Sequence, residues 1–172
     1  GFVNERQRVE IDLVKSLAKD KAYGIGTNGE IFDVTFGLYA AEELKAADGT
    51  VIPADGLLEV IFLDESGHGK AISDLPIGSY YVQEISTNSA YLLDDTKYPV
   101  VFEYAGQDTA VVEITANEGE AISNEIIYGS VSGKKSDEDG NALGGATLGI
   151  FKTGTTEFTK ETAIATAVSA ED

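Results

Sequence analysis

Alternation of apolar and polar side chains marks the first strand of the chain. Between residues 8 and 15, Val9, Ile11 and Leu13 point to one face, and the residues between them point to the other. The next position on the apolar face is Lys15. Because burying a charged group without a partner is costly, this lysine is either a solvated residue at the strand end or part of a buried site.

Similar patterns predict further strands along the first three quarters of the chain. Apolar runs separated by glycine-rich or proline-containing turns predict strands over residues 31–39, 57–63, 79–85, 98–104, 109–115 and 121–127. The strand over 31–39 is expected to bury Phe32 together with Val34. The sequence predicts one or two helical turns over 40–47 and a β-hairpin turn over 105–108. The pattern as a whole indicates an all-β fold.

The arrangement of polar residues starts again after residue 129. Asn4 is followed eleven residues later by Lys15, and Asn124 is followed at the same interval by Lys135. An internal repeat is a stronger indication of architecture than local propensity. We therefore expect more than one copy of the same domain type in this chain.

The repeat divides the chain into three parts. Residues 34–39 also match residues 146–151, with a shorter preceding loop. We expect residues 1–7 to be the last strand of a preceding repeat, 8–127 to be one complete domain, and 128–172 to be the first part of a following domain. The short connections between these parts predict a semi-rigid tandem array.

Three predicted strands each place one polar residue on an otherwise apolar face: Lys15, Glu84 and Asn124. Burying all three is favourable only if they meet and neutralise one another. Desolvation lowers the pKa of a lysine, and the neutral amine is a nucleophile. A buried carboxylic acid can remain protonated and polarise an amide carbonyl by hydrogen bonding. The sequence thus predicts an amide bond between Lys15 and Asn124, formed once with loss of ammonia.

Several motifs resemble the Cna protein B-type domains, also called prealbumin-like domains, of Gram-positive surface adhesins and pilins. They are the strand that ends in Lys15, the segments 34–39 and 74–84, the loop 90–95 and the closing segment 122–124. The resemblance implies an Ig-like, prealbumin-like β-sandwich, with one complete domain and partial neighbouring repeats. It also implies an intramolecular Lys–Asn isopeptide bond that a glutamate assists.

The resemblance assigns roles to individual residues by their position in these motifs. Lys15 supplies the amine, Asn124 is the acceptor and Glu84 assists the reaction. Asn4 and Lys135 are the equivalents from the neighbouring repeats, and we expect neither to be bonded within this chain. The predicted function is a non-enzymatic stalk domain of an extracellular, cell-wall-anchored adhesin or pilus subunit, whose partners are adjacent repeats of the same polypeptide.

Composition narrows the classes of partner. Among the 172 residues, 30 are acidic and 12 are basic, and the net charge of −18 argues against nucleic acid or anionic lipid as a partner. The chain contains no cysteine and no methionine, which predicts a fold without disulfides in a piece of a longer protein. No apolar run is long enough to predict membrane insertion. No motif predicts a cofactor or a metal site, since the acidic turn 137–141 lacks the spacing of a calcium loop.

Three alternative hypotheses remain from the sequence. The same fold could bind a host surface protein or glycan through the loops 19–30 or 40–53, where Tyr23 and Ile25 are the candidate contacts. It could also be an accessory domain of an extracellular enzyme, although His68 has no catalytic partners in sequence. Finally, the Asn4 strand of one molecule could complete the 128–172 segment of another, which would give head-to-tail self-association.

Overall fold

The structure of the protein is a computed structural model that describes residues 6–171. The chain divides into two compact units, and the boundary in the sequence falls between Ile127 and Tyr128. The described part of the first unit is built from short strands joined by turns. Its strands are β1 (Arg8–Leu17), β2 (Thr35–Ala40), β3 (Leu44–Lys45), β4 (Val51–Ile52), β5 (Leu57–Phe62), β6 (His68–Ala71), β7 (Gly78–Ser86), β8 (Tyr98–Phe102), β9 (Val111–Thr115) and β10 (Ile122–Asn124).

Two four-stranded sheets and the two-stranded sheet of β3 and β4 make up the described part of the first unit. In one sheet, β1 pairs with antiparallel β6 along one edge and with parallel β9 and β10 along the other. The second sheet has the antiparallel order β5-β2-β7-β8. The apolar faces of both sheets form one core, so the predicted all-β sandwich is confirmed.

The core contains the residues that alternation predicted on the inner faces. From β1 it takes Val9, Ile11 and Leu13, each at most 2% exposed. The other sheet and the last strand contribute further side chains that are almost completely buried: Phe36, Leu38, Ile61, Tyr80, Val82, Val100, Phe102 and Ile122. Strand β1 therefore lies at the centre of its sheet and supplies a continuous row of the core.

The predicted strand over 31–39 begins later than expected. Glu30–Asp33 forms a 3-10 helix that follows Gly29, whose φ of 83° is in the left-handed region. The Glu30 carboxylate accepts hydrogen bonds from the backbone N–H groups of Gly26 and Asn28 and holds the turn in place. Phe32 consequently is 58% exposed, so its predicted burial is wrong, whereas Val34 is buried as expected.

Two predicted connections also differ from the structure. Residues 40–47 contain β3, which pairs with β4, in place of helical turns; the Asp48 carboxylate accepts the N–H of Thr50 and closes this small hairpin. Residues 105–108 do not close a hairpin, because β8 pairs with β7 whereas β9 joins the other sheet. The two helical segments of residues 6–171 are single turns, and neither could span a membrane.

The second unit, described over residues 128–171, contains the antiparallel strands β11 (Thr147–Ile150) and β12 (Ala165–Val168). Its acidic turn is closed by Asp137, whose carboxylate accepts the N–H groups of Asp139 and Asn141. A β-turn at this position agrees with the sequence analysis.

A glycine turn fixes the backbone next to Lys15. Gly67 has a φ of 83°, and its carbonyl accepts a hydrogen bond of 2.8 Å from the Lys15 N–H. A Cβ atom at this position would lie 2.2 Å from the Lys15 carbonyl oxygen. The turn between β5 and β6 can therefore approach β1 only if a glycine occupies position 67.

We predict that Gly67→Ala destabilises the protein by about 2 kcal/mol or more, because it adds a clash with backbone to the strain of a positive φ. Urea unfolding measures the change. Gly49→Ala is the matched control, since Gly49 has a φ of 89° but open space around its Cβ position. It should cost about 1 kcal/mol from strain alone. Equal losses for the two variants would contradict the role given to the close approach.

Candidate functional site

The sandwich brings together the three polar residues that the sequence predicted on inner faces. Lys15 follows Leu13 on the inner face of β1, and Asn124 ends the adjacent strand β10. Glu84 comes from β7 in the opposite sheet, where it pairs with Phe36 of β2. The amine and the amide thus belong to one sheet, and the carboxylate reaches them from the other.

The side chains of this cluster contact one another directly. Lys15 Nζ donates a short hydrogen bond to Asn124 Oδ1 and lies 2.7 Å from Glu84 Oε2. Asn124 Nδ2 donates to Glu84 Oε1 at 2.7 Å. Among the described residues, the ion pair with Lys15 is the interaction that offsets the burial of Glu84 Oε2. Glu84 therefore bridges the nitrogen of the amine and the nitrogen of the amide.

Burial determines the electrostatics of the cluster. The side chains of Lys15 and Glu84 are both 0% exposed, and the Phe36 ring centroid lies 5.7 Å from Lys15 Nζ. Desolvation lowers the pKa of Lys15 from its usual value of 10.5, although Glu84 and Asp94 offset part of this effect. The fold thus favours the neutral, nucleophilic amine more than water does.

One contact differs from the expected chemistry. The sequence predicted that the glutamate polarises the asparagine carbonyl, but Glu84 contacts Nδ2, and the carbonyl oxygen faces the lysine. The physical reason is that Glu84 reaches across from the opposite sheet and meets the far side of the carboxamide. In this position a carboxyl group can exchange protons with both nitrogens.

Sequence reasoning missed several residues around the cluster. Thr87 Oγ1 accepts a hydrogen bond of 2.9 Å from Asn124 Nδ2. Tyr98 donates from its hydroxyl to Asp94 at 2.5 Å, and Tyr91 donates to the Ala18 carbonyl at 2.7 Å. These residues lie at strand ends or in loops, where alternation gives no information about the direction of a side chain. Only segment 90–95, which contains Tyr91 and Asp94, was recognisable as a motif in the sequence.

Two predicted equivalents lie apart from this cluster. Asn4 is outside the described residues. Lys135 is exposed in the second unit, and its Nζ donates to the carbonyl of Ser136 at 3.2 Å. His68 is also exposed and interacts with Ser66. No group of three or more metal-binding side chains occurs in the part of the chain that the structure describes.

The fold and the site define a class of protein: an all-β sandwich whose core holds a lysine, a glutamate and an asparagine in contact. A family comparison specifies that class. The profile of the SpaA prealbumin-like fold domain matches residues 26–120, which is more than half of the chain. The chain belongs to this family, and the prealbumin-like class predicted from the motifs is confirmed.

Solved structures of similar fold come from Gram-positive bacteria. GBS52, the minor pilin of Streptococcus agalactiae, is 23% identical with a TM-score of 0.42, over 73% of this chain and 48% of that one. BcpA, the major pilin subunit of Bacillus cereus, is 21% identical with a TM-score of 0.36, over 69% and 29%. The Bacillus anthracis TIE protein is 17% identical with a TM-score of 0.49, over 95% and 27%. The chain thus spans less than half the length of each. A comparison with curated proteins finds no match.

We predict that Lys15 titrates below 10.5 when the amine is kept unreacted by Asn124→Ala. Nitrogen NMR of the lysine side chains measures this, with Lys70 as an internal control. Glu10 and Asp12 raise the pKa of Lys70, so it should titrate above 10.5 in the same spectrum. The pKa of Lys15 is lower in the folded chain than in the unfolded chain, so the unfolded chain binds the proton more tightly. The contribution of Lys15 to stability should therefore rise with pH between its folded and unfolded pKa values. A Lys15 midpoint at or above that of Lys70 would contradict the assignment.

Proposed function

We propose that this protein is a structural stalk domain of an extracellular, cell-wall-anchored adhesin or pilus subunit, and that Lys15 and Asn124 form an isopeptide bond inside it. The observation that carries the proposal is the direct contact of a buried amine with a buried carboxamide, bridged by Glu84. Membership in the prealbumin-like family supports the same class of function. The reaction occurs once and consumes its own side chains, so the domain is not a turnover enzyme.

The contacts support a simple sequence of steps. Lys15 passes a proton to Glu84 Oε2, and the neutral amine attacks Asn124 Cγ. The bond between Cγ and Nδ2 then breaks, and the departing nitrogen takes the proton from the Glu84 carboxyl group. The attacking nitrogen gives its second proton to the Glu84 carboxylate, so Glu84 is protonated at the end of the reaction. One amide bond replaces another, and one ammonia is released. Because the folded core holds the reacting groups in contact, proximity supplies much of the rate.

The predicted domain boundaries are part of this proposal. Residues 8–127 form the complete domain, and residues 128–172 form part of a following repeat, with adjacent repeats of the polypeptide as partners. Two observations support it: the family match lies wholly within 8–127, and both bond-forming residues lie near the ends of that segment. A bond between the first and last strands lets a tensile load pass through the domain without separating its sheets.

A second candidate function is ligand binding by the loops near Lys15. A cleft of about 420 Å³ lies beside the loop 26–32 and the turn 65–67, and the exposed Phe32 lines it. Tyr23, which is 51% exposed, lies in the preceding part of the same loop. Exposed aromatic side chains beside a cleft are suited to binding a host protein or glycan. The intact mass of the protein separates the two functions.

We predict that the purified protein is lighter than its sequence mass by one ammonia. Intact-mass spectrometry measures the loss, and peptide mapping should join the segment around Lys15 to the segment around Asn124. Lys15→Ala and Glu84→Gln should both retain the full sequence mass, since one removes the nucleophile and the other the proton carrier.

Lys70→Ala is the matched control for this measurement. It removes a lysine on the neighbouring strand that is exposed and ion-paired with Glu10 and Asp12, so it should still lose ammonia. A wild-type chain of full sequence mass would overturn the isopeptide proposal and favour the ligand-binding function.

We also predict that the bond limits the extension of the domain under force. Lys15 and Asn124 are 109 residues apart, which corresponds to about 380 Å of extended chain at roughly 3.5 Å per residue. Single-molecule pulling on the chain ends should release this length in Lys15→Ala but not in the wild type. Lys70→Ala should behave as the wild type. Release of the full length from wild-type molecules would contradict a covalent link between the two strands.

A further inference from the structure

The carboxamide of Asn124 has a partner for each of its polar positions. Oδ1 accepts from Lys15, and the two N–H bonds of Nδ2 are directed to Glu84 Oε1 at 2.7 Å and to Thr87 Oγ1 at 2.9 Å. Lys15 and Glu84 have roles in the proposed reaction. Thr87 has no role in those steps, although its hydroxyl contacts the nitrogen atom that leaves.

Thr87 differs from the three other residues in its access to solvent. Lys15, Glu84 and Asn124 are only 2%, 4% and 2% exposed. Thr87 is half-buried and lies immediately beyond the end of β7 at Ser86. Ammonia released inside the core has to reach solvent, and Thr87 touches both the site and the surface. Two residues accept a hydrogen bond from Nδ2, Glu84 and Thr87, and of these only Thr87 is also in contact with solvent.

The two N–H contacts also define the orientation of the group that reacts. A carboxamide is planar, and hydrogen bonds from both N–H groups restrict rotation of that plane about the Cβ–Cγ bond. With the plane held, Cγ keeps one orientation toward the lysine. Without Thr87, the carboxamide would keep its contacts with Lys15 at Oδ1 and with Glu84 at one N–H, but the second N–H would lose the partner that restrains the departing nitrogen.

We infer that Thr87 is the residue that positions the departing nitrogen of Asn124 and directs it to solvent, an inference that rests on the proposed isopeptide bond. Nδ2 leaves Cγ with the electron pair of the broken bond and takes its third hydrogen as a proton from Glu84. The resulting ammonia keeps a hydrogen bond to Thr87 Oγ1 as it departs. The threonine gains and loses no covalent bond.

The test follows the rate of ammonia loss during cell-free synthesis, with samples quenched in acid at intervals and analysed by intact mass. Thr87→Val keeps the shape but removes the hydroxyl, and it should slow the loss about tenfold, the effect of one hydrogen bond to a neutral group. Thr87→Ser restores the hydroxyl and should react at a rate close to that of the wild type.

The pH dependence of the rate distinguishes positioning from general damage to the site. In Thr87→Val the rate should fall at every pH, while the midpoint of the profile stays where the amine of Lys15 sets it. A variant that admits water to the core would instead move this midpoint toward 10.5, because desolvation of Lys15 would be reduced. A shift of that kind would overturn the positioning role.

Ser86→Ala is the matched control from the adjacent position. The Ser86 hydroxyl donates to the Asp33 carbonyl at 2.9 Å and lies 2.8 Å from the Thr35 hydroxyl. Its removal should leave the rate of ammonia loss unchanged. If Ser86→Ala slows the loss of ammonia as much as Thr87→Val does, the effect is not specific to Thr87. That result would overturn the inference.

The remaining outcomes separate this inference from the proposed function. Loss of ammonia at the wild-type rate in Thr87→Val overturns the role of Thr87 and leaves the isopeptide bond standing. A wild-type chain that never loses ammonia overturns both. Thermal unfolding of Thr87→Val in a Lys15→Ala background shows whether the valine is tolerated. If it is not, Thr87→Ala replaces it, and the same two rates decide the question.

Discussion

A lysine amine without access to water is the feature on which the rest of this structure depends. Lys15 continues the apolar row of β1 into the core, and its side chain is 0% exposed. An uncompensated charge there would cost about 3–5 kcal/mol, so the fold must supply a partner. Glu84 supplies it from the opposite sheet, and the two sheets must therefore pack in the one register that brings β7 over the end of β1.

The position of β1 explains how one strand can impose this constraint. It is bonded along both edges, to β6 on one side and to β9 and β10 on the other, so its backbone has little freedom to move. The Gly67 turn holds the backbone at Lys15 itself. Since β10 is parallel to β1 and ends at Asn124, the last strand of the unit places the Asn124 amide next to the Lys15 amine. The proximity of Lys15 and Asn124 is thus a consequence of strand order.

The site is suited to a reaction that happens once. Three of its four polar residues are almost completely buried, and the groups in contact with the amine belong to the chain itself, as the proposed bond requires. In the proposed reaction the small molecule that crosses the boundary is ammonia, and the half-buried Thr87 lies where the site meets solvent. A buried product amide is in turn protected from water, and this favours a permanent link over a reversible one. Such a link would suit the proposed stalk domain, which carries load.

Period-two alternation was sufficient to place Lys15, Glu84 and Asn124 on inner faces, because successive side chains of a strand point to opposite sides wherever the strand pairs. Motifs were sufficient for the prealbumin-like class. Tertiary structure decided what local pattern does not contain: β9 pairs with β1 in place of β8, residues 44–45 form a strand, and Phe32 faces solvent. It also decided that Glu84 meets the amide nitrogen and that Thr87 joins the site. These outcomes depend on contacts between residues far apart in the chain, whose energies are settled only when both sheets pack together.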